Sequence, residues 1–188
     1  RQALAGPSSV QPQVLFFHGT TWSSKHWPEL YWRELAEKLV EREIGIQLPW
    51  GNAEEKARAE RIAEGLRRVQ VLPSLSLTGM AGMVAGAQAC VAVDTGLGHL
   101  AAALNVPCLS LFGPTNPGLT GAYGSSQVHL ASDFPCAPCL QKTCRYQPTA
   151  EDARLFDLQR EQPLCFTRIA PDNVFERLQK LLADHGAI

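Results

Sequence analysis

Residues 90–112 read CVAVDTGLGHLAAALNVPCLSLF. Two short apolar runs, 90–93 and 107–112, flank a stretch of small and apolar residues at 97–104. Apolar runs of that length without alternation predict strands covered on both faces, and the stretch between them predicts a short helix. Strand, helix and strand in succession make a βαβ unit, the building block of a parallel sheet. At the first junction stands Asp94-Thr95-Gly96-Leu97-Gly98-His99, polar and glycine-containing where the chain leaves the strand.

The alternation extends outward in both directions. VLFFH at 14–18 runs into Gly19 and predicts a buried strand. Residues 28–40 follow as a helix, with Leu30, Tyr31, Leu35 and Leu39 near helical spacing. Pro28 suits its first turn, where a missing N–H costs nothing. Glu34 and Lys38 stand four apart and are expected to pair, for roughly 0.2–0.5 kcal/mol. A strand at 44–48 closes on Pro49-Trp50-Gly51-Asn52, and a charged surface helix is expected over 53–67. Residues 69–72 predict a third strand, and 77–88 a small-residue helix containing Gly79, Gly82 and Gly86. A sixth strand is expected at 128–131. An amphipathic helix over 171–183 carries Val174, Leu178, Leu181 and Leu182 on one face. Together these elements predict an α/β fold, a Rossmann-like doubly wound parallel sheet in one domain over 14–188. Residues 1–13, polar and rich in Pro, Ser and Gln, are expected to be a linker, with the chain beginning in mid-protein. Residues 132–167 are the one long irregular stretch, a length usually reserved for function.

Composition narrows the function. The 188 residues suit one sizeable domain, and 45% hydrophobic content supports a core. A formal net charge of -1 gives no basic surface for nucleic acid. No apolar run reaches the roughly 18–20 residues that span a bilayer. The polar opening is not a secretory signal. Cys90 and Cys108 fall inside apolar strands and read as small core residues, so a reducing cytosol is the expected compartment.

In an open parallel sheet, ligands bind beyond the carboxyl ends of the strands. The clusters to weigh are therefore residues 19–27 after the first strand, Pro49-Trp50-Gly51-Asn52 with Glu54 and Glu55, residues 94–99, and Gly113-Pro114-Thr115-Asn116-Pro117. Thr95 and Gly96 stand at a helix start, whose free N–H groups and positive dipole end attract anions. Asp94 suits either a helix cap or a ligand contact. His99 is either a structural histidine or a donor to a phosphate oxygen. Lys25 is either solvated or a point charge on a diphosphate. Glu55 suits a first-turn acid or an acceptor for a ribose diol. Spacing leaves each pair open, and no Walker, G-x-G-x-x-G or H-E-x-x-H motif is present.

The run from Val93 to Leu104, followed by Leu111-Phe112-Gly113-Pro114-Thr115-Asn116-Pro117, resembles the signature of the bacterial ADP-heptose:lipopolysaccharide heptosyltransferases. Lys25-His26-Trp27-Pro28, Leu48-Pro49-Trp50-Gly51 and GLTGAYG at 118–124 bring it nearest to the type I members. The resemblance runs from about residue 14 to 124 and weakens beyond. It implies the C-terminal, donor-binding half of a GT-B glycosyltransferase. It further implies transfer of L-glycero-D-manno-heptose from ADP-heptose to Kdo2-lipid A, with inversion. By the same resemblance Lys25 meets the diphosphate and the departing charge, with Thr20 and Thr21 beside it. Glu55 would hold the ribose, and Thr95, Gly96 and Leu97 the phosphates, next to His99. Asp94 would orient the heptose hydroxyls, and the 72–75 turn would border adenine. The family's general base lies in an N-terminal domain that this chain is expected to lack, so alone it should bind ADP and ADP-heptose without transferring sugar. No cofactor is expected for the chemistry. The implied location is the cytoplasmic face of a Gram-negative inner membrane, with peripheral membrane contact.

Cys136-x-x-Cys139, Cys144 and Cys165 form a competing signal. Four thiols with one C-x-x-C suit a structural zinc or an iron–sulfur cluster, a disulfide, or free thiols. Any metal there would staple the long loop and not drive sugar transfer. Two other functions stay open: a non-catalytic nucleotide-sugar-binding module, and a heptosyltransferase of type II or later with a different acceptor.

Overall fold

The computed structural model describes residues 12–187; residues 1–11, most of the expected linker, lie outside the described residues. Six parallel strands form one sheet: β1 (Gln13–Phe17), β2 (Gly45–Leu48), β3 (Val69–Val71), β4 (Ala89–Val93), β5 (Cys108–Phe112) and β6 (Gln127–Ala131). Their order is β3-β2-β1-β4-β5-β6, the Rossmann-like arrangement. The first strand therefore begins at Gln13, inside the segment expected to be linker.

Side-chain alternation assigns each strand's residues to two cores. Val14 and Phe16 pack with Trp32, Leu35, Val174 and Leu178 of α1 (Glu29–Glu41) and α7 (Pro171–Asp184). Leu15 and Phe17 point the other way, onto Met80 and Val84 of α3 (Leu77–Ala85) and Ala101 of α4 (Gly96–Ala103). Apolar residues on both faces explain why these strands read as unbroken hydrophobic runs.

Several boundaries differ from expectation for local reasons. Pro28 precedes α1, its carbonyl accepting from Tyr31 N–H at 2.9 Å. Helix α2 (Ala53–Ala63) stops short of residue 67, because Gly65 turns the chain with φ 75, a region that favours glycine. Helix α3 ends at Ala85, with Gly86 as its cap. Lys38 does not pair with Glu34; it reaches Asp172 at 2.6 Å and ties α1 to α7.

The 132–167 stretch is irregular but packed. It holds only a short helix, α6 (Asp152–Leu155), and leads into a 3-10 turn over Leu164–Arg168. Phe134, Leu164, Cys165 and Phe166 sink into the α1–α7 core. Gly113 permits this, since a Cβ there would lie 2.7 Å from the Phe166 ring. Asp152 organises the loop by accepting from Thr149 N–H at 2.7 Å and Tyr146 O–H at 2.9 Å.

His18, the residue after β1, is 1% exposed, and neither ring nitrogen has a well-formed partner among the described residues. Burial, followed by the nearby Arg58 charge, pushes its pKa down to about 4, partly offset by the Pro49 backbone. Between pH 6.5 and about 4 the unfolded chain thus takes up a proton that the folded chain excludes. Stability should be full above pH 6.5 and fall as pH drops through that window. His18→Phe should flatten the decline between pH 7 and 4.5 by roughly 2 kcal/mol in urea unfolding, and an unaltered slope would contradict this assignment.

Candidate functional site

Strand order reverses between β1 and β4, which pair directly with Phe17 opposite Ala92. Connections leaving two adjacent strands in opposite directions open a crevice at their carboxyl ends. A cleft of about 680 Å³ lies there. Its walls come from the loops after β1, β2, β3 and β4, with one further residue, Thr120, from the short helix α5 (Pro117–Thr120).

The loop after β1 carries Thr20, Thr21 and a single 3-10 turn, Ser23–Lys25. Thr20 is held twice: its carbonyl lies 2.9 Å from His26 Nε2, and its hydroxyl donates to the Asp94 carbonyl at 3.3 Å. Lys25 Nζ meets Asp94 Oδ2 at 2.8 Å, the two side chains being 14% and 8% exposed. Trp22 shields the ammonium, its ring centre 4.2 Å from Nζ. Thr120 O–H donates to the same Asp94 oxygen at 3.3 Å. An ammonium has three donor hydrogens, so Lys25 can keep Asp94 and still bind an incoming anion.

The start of α4 lines the same cleft as the lysine. Thr95 precedes it in an extended conformation, and no side chain caps the helix. The first N–H groups of a helix have no partner within it, so at Gly96 and Leu97 they are available to an anion in the cleft. A Cβ on Gly96 would meet nothing within 4 Å; the space in front of the helix start is open. His99 sits one turn further along, exposed and on the cleft wall.

The third wall is the turn after β2. Asn52 caps α2 by accepting from Glu55 N–H at 2.9 Å, and Glu55 Oε2 accepts from Gly51 N–H at 2.7 Å. Trp50 is pinned by donating its indole N–H to the Leu72 carbonyl at 2.6 Å. A Cβ on Gly19 would meet the end of the Glu55 side chain, which would have to shift to make room. Leu75, Ser76, Leu77 and Met80 make a largely apolar fourth wall.

Every residue predicted for the site, Thr20, Thr21, Lys25, Glu55, Asp94, Thr95, Gly96, Leu97 and His99, lines this one cleft. The geometry bears on two of the open alternatives. Asp94 does not cap α4 but is the counter-ion of Lys25. Glu55 is a first-turn acid bound to its own turn and also lines the cleft. Of the 72–75 turn, Leu75 lines the cleft while Leu72 is buried. Sequence reasoning missed Thr120 and Met80 as lining residues. The GLTGAYG tail contained the signal for the first, since Thr120 is its only hydroxyl ahead of the tyrosine.

The four late cysteines do not form the metal site that their spacing allowed. Among the described residues no group of three or more His, Cys, Asp or Glu is arranged to hold a metal ion, and all six thiols are free. Cys165 is buried, Cys136 and Cys139 are half-buried, and Cys144 is exposed. Burial, then the nearby Cys136, Cys144 and Cys139, pushes the Cys165 thiol up to about 12.

Comparison with known proteins places this cleft in context. Residues 1–150 match the model of glycosyltransferase family 9 (heptosyltransferase). Lipopolysaccharide heptosyltransferase 1 of Pseudomonas aeruginosa is 66% identical over 182 residues, 97% of this chain and 51% of that protein. The enzyme of the same name from Escherichia coli K12 is 50% identical over 122 residues, 65% of this chain and 38% of its own length. A solved structure of E. coli heptosyltransferase WaaC with ADP-2-deoxy-2-fluoro heptose has a TM-score of 0.66 at 35% identity, covering 93% of this chain and 44% of that one. The chain thus spans about half the length of the Pseudomonas relative and less of the E. coli one.

Breaking the ion pair has a measurable cost. Asp94→Asn leaves the Lys25 ammonium partly buried without an opposing charge and should destabilise the unliganded chain by about 1–3 kcal/mol. Adding Lys25→Met should restore part of the loss, a coupling of at least about 0.5 kcal/mol in urea unfolding. Strict additivity would show that the pair contributes nothing to the fold.

Proposed function

The chain belongs to glycosyltransferase family 9, the heptosyltransferase family, and from that premise we propose that its cleft is the donor site of an inverting lipopolysaccharide heptosyltransferase. The donor is ADP-heptose, and the acceptor is Kdo2-lipid A at the cytoplasmic face of the inner membrane. No helix among the described residues is long and apolar enough to cross a membrane. Contact with the lipid is therefore assigned to the periphery of the whole protein.

The observation that carries this reading is the presence of Lys25 and an uncapped helix start in one cleft. A diphosphate between them receives a point charge from one side and backbone N–H groups from the other. As the bond from the heptose anomeric carbon to the diphosphate oxygen breaks, negative charge grows on ADP. Preorganised donors stabilise that charge without having to reorganise. Asp94 then serves two ends: it orients Lys25, and its remaining oxygen is placed for the heptose hydroxyls. Glu55 keeps Oε2 on Gly51 and has Oε1 for the ribose diol. The apolar wall at Leu75 and Met80 suits adenine.

Both carboxylates of the cleft are already engaged through one oxygen: Asp94 with Lys25 and Thr120, and Glu55 with Gly51. Following the family resemblance, we assign deprotonation of the acceptor hydroxyl and acceptor binding to residues other than these. Absence of a general base typically forfeits about 10²–10⁴ in rate, and absence of acceptor positioning more.

Titration calorimetry separates the alternatives. The chain should bind ADP and ADP-heptose, and UDP-sugars at least about tenfold more weakly; the reverse order would overturn the adenine assignment. Lys25→Ala should weaken ADP by about 10–100-fold, the worth of a charge-assisted contact. Asp94→Ala should weaken ADP-heptose more than ADP, whereas a module that binds only nucleotide would lose both equally. Incubated with ADP-heptose and Kdo2-lipid A, the 188-residue chain should transfer no heptose above background.

A further inference from the structure

The turn that carries Lys25 is gripped from behind by the cysteine-bearing segment. Ser23–Lys25 has little internal support: Lys25 N–H donates to Trp22 O at 3.0 Å and His26 N–H to Ser23 O at 3.4 Å. One 3-10 turn with such bonds does not hold its own shape in water. Its support comes from residues 141 and 142. Ser24 N–H and Ser23 O–H both donate to the Lys142 carbonyl at 3.2 Å, and Ser24 O–H donates to the Gln141 carbonyl. Lys142 Nζ also lies 5.7 Å from the Trp22 ring, whose face shields Lys25.

The gripping segment is itself anchored. Leu140 takes up φ 56 and donates its N–H to the Pro114 carbonyl at 2.8 Å. The carbonyls of Gln141 and Lys142 are thereby presented to the lysine turn. Further along, Tyr31 O–H of α1 donates to Glu161 at 2.9 Å, and just beyond the stretch the Ile169 carbonyl accepts from the indole N–H of Trp27, ahead of α1, at 2.9 Å. Ser24 is 2% exposed and stands at the junction. It is the residue through which the clamp reaches Lys25.

We propose that Ser24, held by the carbonyls of Gln141 and Lys142, is a positioning residue for Lys25 in nucleoside-diphosphate binding. This rests on the donor site proposed above. Lys25 Nζ has to meet both Asp94 and the incoming anion, and a loosened turn would spread it over positions that meet only one. The long 132–167 stretch thereby acquires a role in ligand binding without touching the ligand.

A double-mutant cycle on the full chain tests this, with ADP as the probe followed to millimolar concentration. Ser24→Ala should raise the ADP Kd about three- to tenfold when Lys25 is present, and by less than about 1.5-fold in a Lys25→Met background. Thermal melting confirms that each variant is folded. Should Ser24→Ala fold poorly, Ser23→Ala, at an exposed position, should show a smaller effect with the same dependence on Lys25. Equal weakening in both backgrounds would mean that the serines act through the fold at large, and no weakening would mean that the clamp is irrelevant; either overturns the proposal. Failure of the unsubstituted chain to bind ADP would instead defeat the donor-site reading itself, and this inference with it.

Discussion

A lysine and an aspartate 2.8 Å apart close the floor of the cleft, and the rest of the site is arranged around them. They come from loops after β1 and β4, and only the pairing of those strands at the sheet's reversal makes them neighbours. Had either strand been elsewhere in the order, the ammonium would face solvent and the carboxylate would be buried alone. Burying a charge without a partner costs several kcal/mol, so sheet order and site chemistry are coupled.

That coupling also governs how the cleft handles charge. Lys25 is already oriented, held against Asp94 with Trp22 over its ammonium and with little exposure to screen the pair. In the same cleft the start of α4 carries no side-chain cap. Glu55 fixes its own turn with one oxygen, which accepts from Gly51 N–H. Polar groups that serve structure and binding together are held more rigidly than groups that serve binding alone.

Local patterns made most of the architecture legible. The apolar runs near 14–18, 44–48, 90–93 and 107–112 are strands because both sheet faces are covered, and short polar loops placed every predicted site residue on one rim. What escaped was partner choice. Nothing near Asp94 reveals that its mate is Lys25, or that Lys38 prefers Asp172 on another helix to Glu34 on its own. The cysteine spacing left metal, disulfide and free thiols open because C-x-x-C constrains only the backbone; in the structure all four late thiols are free, one buried and another exposed. The clamp on Ser24 was invisible because it is made by backbone carbonyls, which carry no sequence signal.

A crystal structure of the chain with bound ADP addresses the central claim most directly. The diphosphate is expected between the Lys25 ammonium and the N–H groups of Gly96 and Leu97, within hydrogen-bond distance of both, with adenine toward Leu75 and Met80. A nucleotide seated elsewhere, with Lys25 still turned wholly to Asp94 and the α4 start facing water, would contradict it.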